Sequence, residues 1–308
     1  MAAAFASMRD GTADAAQVRA SLKASRKPRE HIAVGGVEDR VIPGAPGSPA
    51  LPVRIYQPLG AGSIRPIIVY FHGGGFVLCD LDSHDACCRR LANGVGAVVV
   101  SVDYRLAPEH PFPAAVDDAW AATVWAFDNA AQLGADRSRL VVAGDSAGGN
   151  LAAVVSMLAR DNGGPAIAHQ VLIYPVVDQR RKDTAAAARG GQAEGVLSGA
   201  HMKWFTEQYL GAGGDRTDIR ASPILGDHAG LPPTHIVTAE RDPLCDEGER
   251  YAELLRVAGV AATVRRYPGV FHGFFNLPDD IPLAELANSD VCGVLRTALE
   301  LPVVRPLS

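Results

Sequence analysis

A mostly parallel β-sheet sheathed by helices on both faces is the fold class this sequence predicts, and three observations predict it. Short, nearly unbroken apolar runs recur along the chain, Ala97 to Asp103 being the clearest. Between them lie longer stretches whose apolar residues return at helical spacing. A Gly-x-Ser-x-Gly pentapeptide stands at one junction of the two patterns. Strands apolar on both faces belong in a sheet buried on both sides, and the joining helices cover it.

Taken in order, residues 1 to 50 hold alanine-rich helical stretches and then a Gly/Pro-rich loop, Pro43 to Pro49. Strands are expected at Pro52 to Tyr56, Pro66 to His72 and Ala97 to Asp103. A helix follows between Pro113 and Leu133, then a strand at Leu140 to Ala143 and a helix at Asn150 to Arg160. Strands at Val171 to Val177, His235 to Ala239 and Val264 to Tyr267 complete the series, with a helix at Asp246 to Val257. The stretch Gln179 to Ile224 breaks this rhythm and reads as an insertion carrying one amphipathic helix, Gly199 to Leu210. We therefore expect one domain over residues 1–308, with a cap built from about 1–45 and about 179–224.

Bulk properties exclude several classes. The net charge of −5 comes from intermixed signs, without the basic stripe that a nucleic acid needs. Cysteines 79, 87, 88, 245 and 292 show no CxxC spacing, so five reduced thiols are expected. Met1 to Ser7 lacks a basic leader, Arg9 and Asp10 interrupt the apolar start, and no run approaches the ~20 apolar residues of a membrane span. A cytoplasmic protein without a transmembrane segment is the expectation. No metal-ligand spacing stands out, so neither metal nor cofactor is expected. The partner anticipated is a small molecule, and a homodimer is compatible with the sequence.

Gly144-Asp145-Ser146-Ala147-Gly148 follows an apolar run and opens a helical one, the context that gives Gly-x-Ser-x-Gly its meaning as a nucleophile elbow. A serine on so sharp a turn has a strained backbone, and side chains at 144 or 148 would collide. The turn exposes the hydroxyl and points a helix N-terminus at developing negative charge.

A serine hydroxyl is a weak nucleophile that needs a base, and the base needs a third group to orient it. In proteins with this elbow the order is serine, acid, histidine, which restricts the base to His169, His201, His228, His235 or His272. Only His272 follows the last expected strand. The acid should come from Asp242, Glu240 or Asp246, near the end of His235 to Ala239. Asp242 is favoured because it begins the loop beyond the strand, while Asp246 is placed to cap the next helix. The intermediate's oxyanion needs preorganised N–H donors, which His72-Gly73-Gly74-Gly75-Phe76 and the amide of Ala147 can supply.

With these pieces assembled, the chain from about residue 50 onward resembles the bacterial hormone-sensitive lipase family of carboxylesterases. The resemblance rests on HGGGF at 72–76, YRLAPE at 104–109, GDSAGGN at 144–150, DPLCDEG at 242–248 and HGF at 272–274. It implies an α/β-hydrolase fold with a helical cap and a Ser146, Asp242, His272 triad. It further implies an oxyanion hole of Gly74, Gly75 and Ala147, with Gly73 shaping the loop and His72 structural. The implied activity is hydrolysis of short to medium acyl esters through an acyl-enzyme. An amidase or peptidase using the same triad is the alternative. Plant gibberellin receptors resemble the same family without the catalytic histidine, whereas His272 stands in its motif here. Phe76, Leu78, Trp204, Phe205 and Phe274 are candidate apolar walls of the pocket.

Overall fold

A computed structural model describes residues 7–8, 11–26, 32–60, 64–180, 197–211 and 213–300. Eight strands form one sheet: β1 (Gly36–Ile42), β2 (Leu51–Gln57), β3 (Arg65–Phe71), β4 (Val98–Val102), β5 (Ala135–Asp145), β6 (His169–Ile173), β7 (Thr234–Arg241) and β8 (Ala262–Phe271). Their spatial order is β1-β2-β4-β3-β5-β6-β7-β8. β1 pairs antiparallel with β2, and β2 with β4, while every pairing from β4 to β8 is parallel. The helices are α1 (Ala15–Ala24), α2 (Asp85–Val95), α3 (Ala114–Asp128), α4 (Ala147–Asp161), α5 (Gly199–Leu210), α6 (Cys245–Val257) and α7 (Pro282–Ala298). This is an α/β-hydrolase fold.

The period-2 alternation of a strand divides the core between the two faces. Along β3, Ile67, Val69 and Phe71 join one cluster with residues of α3, α4 and α6. Ile68 and Tyr70 join a second, packed with Cys87, Cys88 and Leu91 of α2 and Val291 and Leu295 of α7. Both faces of the central strands are thus dry, which accounts for their unbroken apolar sequence.

β1 corrects the expected N-terminal boundary of the cap. Residues 36–42 lie inside the stretch allotted to it, yet they form a sheet strand in register with Leu51–Gln57. Of the expected insertion, residues 181–196 lie outside the described residues; the helix at Gly199–Leu210 is present as α5. All five thiols are free. Among the described residues no helix is long and apolar enough to cross a membrane.

Candidate active site

The six parallel strands β3 to β8 run in one direction, so the residues that follow them lie on one side of the sheet, and Ser146 stands at the end of β5. Its backbone has φ +56° and ψ −115°, in the left-handed half of conformational space that a side chain tolerates poorly. The strain is held from both sides: Ser146 N donates to Ile173 O at 2.8 Å, and its carbonyl accepts from Asn150 N and Val176 N. Gly144 and Gly148 are required by close approach. A Cβ on Gly148 would stand 1.8 Å from Phe71 O, and one on Gly144 would stand 2.4 Å from the backbone of Gly148.

His272, in the turn after β8, places Nε2 2.9 Å from Ser146 Oγ. Its Nδ1 lies 2.7 Å from Oδ2 of Asp242, whose side chain is fully buried just past β7. The other carboxylate oxygen of Asp242 accepts from Leu244 N at 2.8 Å, which fixes its rotation. With Nδ1–H donating to Asp242, Nε2 is the acceptor facing the serine hydroxyl. The Tyr174 ring packs against the imidazole at 4.7 Å between centroids.

The two rival carboxylates are elsewhere. Glu240 accepts from Gly269 N at 2.7 Å on the exposed side of β8. Asp246 sits in the first turn of α6, where its charge faces the helix dipole, but the N-cap is Leu244. The rival histidines fit structural positions: His169 and His235 are buried in β6 and β7, His201 belongs to the capping box of α5, and His228 packs edge-on against Tyr251.

The glycine loop after β3 faces Ser146. Gly74 and Gly75 adopt φ of +113° and +63°, and the chain turns with Val77 N and Leu78 N both donating to Gly74 O. Among the described residues, nothing accepts from the N–H groups of Gly74, Gly75 or Ala147. His72 is buried, its ring stacked on Tyr104 at 4.3 Å with Nδ1 2.7 Å from Gly73 O. Burial, with the neighbouring His84, pushes its pKa down to about 4, so it is neutral near pH 7.

These groups open into a cavity of about 310 Å³. Phe76, Leu78 and Phe205 line it, as expected. Trp204 and Phe274 do not: Trp204 packs edge-on against Phe205, and Phe274 is fully buried beside Tyr174 and Tyr267. Instead Leu22 of α1, Leu197, and Met202 of α5 supply the apolar roof. Met202, Phe205 and Thr206 fall on one face of α5 at spacings of three and four, a pattern readable in the sequence. Helix α1 is tied to the loop below it by Arg19, which donates to Val77 O at 2.8 Å and pairs with Glu109.

A strained serine at a strand-to-helix turn, hydrogen-bonded to a histidine and through it to a buried aspartate, defines a hydrolase of the serine type on an α/β sheet. Residues 68–276 match the model of a family described by its alpha/beta hydrolase fold, and the chain belongs to that family. It is 42% identical over 290 residues to carboxylesterase NlhH of Mycobacterium tuberculosis, covering 93% of this chain and 91% of that one. It is 41% identical over 239 residues to an ethyl acetate hydrolase of Pseudomonas putida, covering 76% of this chain and 74% of the other. Among solved structures, an esterase of Pyrobaculum calidifontis superposes with a TM-score of 0.87 at 44% identity, covering 94% of both chains.

Proposed function

We propose that this chain is a carboxylesterase of the bacterial hormone-sensitive lipase type, hydrolysing short to medium acyl esters with Ser146 as nucleophile. The observation that carries the proposal is the pair of contacts from His272, 2.9 Å to Ser146 Oγ and 2.7 Å to Asp242 Oδ2. In acylation, Oγ attacks the ester carbonyl carbon while its proton passes to His272 Nε2. The carbonyl oxygen takes the negative charge, and the N–H groups of Gly74, Gly75 and Ala147 stabilise it. Asp242 holds the imidazole in the right tautomer and stabilises the imidazolium. Collapse of the intermediate expels the alcohol, which takes the proton from Nε2. Water then repeats the sequence on the acyl-enzyme and regenerates Ser146 Oγ–H.

The cavity lies at the small end of ligand sites, which run from about 300 to 1,000 Å³. That size, its apolar roof and the names of the relatives favour short to medium esters, with α1 and α5 acting as the cap. Purified protein should hydrolyse p-nitrophenyl butyrate far faster than the matching p-nitroanilide and faster than the decanoate. Paraoxon should add a single diethyl phosphoryl group at Ser146. Preference for the anilide would reassign the chain to amide hydrolysis, and a folded protein that paraoxon leaves unlabelled would end the serine-hydrolase mechanism.

A further inference from the structure

Asp145 is a buried carboxylate that the chemical steps above do not use, and its two oxygens face four partners from four different segments of the chain. It directly precedes Ser146. Its Oδ1 accepts from Gly73 N at 3.0 Å and from Tyr70 Oη at 2.8 Å. Its Oδ2 accepts from Asn276 Nδ2 at 3.1 Å, and His84 Nε2 lies 3.1 and 3.3 Å from the two oxygens. Tyr70 belongs to β3, Gly73 to the glycine loop, His84 to the N-cap of α2, and Asn276 to the turn four residues beyond His272. The fit is close enough to dictate a neighbour: a Cβ on Gly73 would stand 2.5 Å from Asp145 Oδ2.

We infer that Asp145 is a positioning residue for the oxyanion hole: its carboxylate ties the Gly73–Gly75 loop and the turn after His272 to the residue that carries the nucleophile. This inference rests on the proposed esterase mechanism. Donor placement matters because a preformed hole acts only if its N–H groups already stand where the oxyanion develops. Gly73 N is one peptide away from the amide of Gly74, so its bond to Asp145 sets the direction in which the next two amides point. Because Asp145 and Ser146 are adjacent, the loop and the nucleophile cannot drift apart while that bond holds. Burial works to raise the carboxyl pKa, but the charge and hydrogen bond of His84 and the bond from Tyr70 bring it to about 2. The anchor therefore keeps all its acceptor sites near neutral pH.

The test compares Asp145→Ala with Asp145→Asn, because the asparagine oxygen can still accept from Gly73 and Tyr70 while Asn276 turns its own amide round. Three quantities are read: kcat and KM on p-nitrophenyl butyrate, Ki for a trifluoromethyl ketone that forms a tetrahedral adduct with Ser146, and Ki for a simple alkyl alcohol. Asp145→Ala should lower kcat about 100-fold and weaken the ketone by a similar factor, with KM and the alcohol Ki within about threefold. Asp145→Asn should recover at least tenfold of both losses. A folded Asp145→Ala protein whose kcat and ketone Ki stay within threefold of the parent overturns the inference. So does one whose ketone and alcohol affinities fall together, since that is general collapse of the pocket. If Asp145→Ala does not fold, Tyr70→Phe removes one bond and leaves the carboxylate; a kcat and ketone affinity unchanged by it count against the inference. A parent protein without esterase activity or paraoxon labelling refutes the proposed function instead.

Discussion

Replacing Gly75 with alanine should cripple ester hydrolysis, and removing Phe205 from the same chain should restore part of the loss. Two separable costs meet at this residue. Its φ of +63° is unfavourable for an alanine by about 1 kcal/mol. The added Cβ would also stand 2.2, 2.5 and 2.6 Å from three carbons of the Phe205 ring. Carbon atoms attract at about 3.5 Å or more, so ring and loop must separate by roughly 1 Å. In an overpacked site such a shift costs about 1–3 kcal/mol. If the loop yields, the Gly75 amide leaves the place proposed for it as an oxyanion donor, and loss of one such donor is worth about 10²–10³ in kcat. Gly75→Ala should therefore lower kcat/KM on p-nitrophenyl butyrate by at least about 100-fold. Phe205→Ala opens the roof without touching the donors and should change it by less than about tenfold. In the double variant the steric part vanishes and the φ cost stays, so at least tenfold should return, a coupling of about 1.4 kcal/mol. Urea unfolding of the four proteins should show coupling of the same sign. Strictly additive losses in both assays would refute the claim that the Phe205 ring bears on the glycine loop.

Asp242→Asn should reduce kcat by several orders of magnitude with little loss of fold, whereas Glu240→Gln, at a carboxylate that accepts from Gly269 N and not from His272, should leave kcat within about threefold; the reverse ranking would reassign the acid. Gly148→Ala should fail on stability, because its Cβ would lie 1.8 Å from Phe71 O and only backbone can move; a soluble variant with an unchanged urea midpoint would show that β3 and α4 are less tightly joined than the structure has them. Acid should destabilise the protein once the pH falls below about 6.5. Burial holds His72, His169 and His235 at about 4, below the ~6.5 of an unfolded chain, so the unfolded state binds more protons between those values. Stability is then complete above pH ~6.5 and falls toward pH ~4 by on the order of 3 kcal/mol per pH unit, and a urea midpoint constant from pH 7.5 to 5 would contradict it.

The residues of the candidate triad were legible because each stands at a strand end: chain order narrowed the histidines to five, and only His272 follows the last strand. The edge strand β1 escaped because it carried no apolar rhythm of its own. β1 reads Gly-Val-Glu-Asp-Arg-Val-Ile, and as an edge strand it buries only Ile42, so burial imposed no pattern on it. Helix α2 did leave a signal: Cys87, Cys88, Leu91, Ala92 and Val95 recur every three or four residues. The reverse error fell on Trp204 and Phe274. Both neighbour site residues in sequence, but their large apolar surfaces are satisfied in the core.

The glycines show most directly how the sequence encodes the site. Conformational freedom explains Gly74 and Gly75, whose φ values are positive. It does not explain Gly148, which is helical, or Gly73, whose φ is not in the left-handed region. Those two are glycine because something else occupies the place of a side chain: the carbonyl of Phe71 for one, the carboxylate of Asp145 for the other. Each occupant lies more than seventy positions away in the chain, so HGGGF and GDSAGG are two halves of one packing statement. Gly148 holds the helix after Ser146 against the end of β3, and Gly73 holds the loop that follows β3 against Asp145, the residue before the proposed nucleophile. A strand end, a loop and a turn are thereby locked together before any substrate arrives, the preorganisation on which stabilisation of an oxyanion depends.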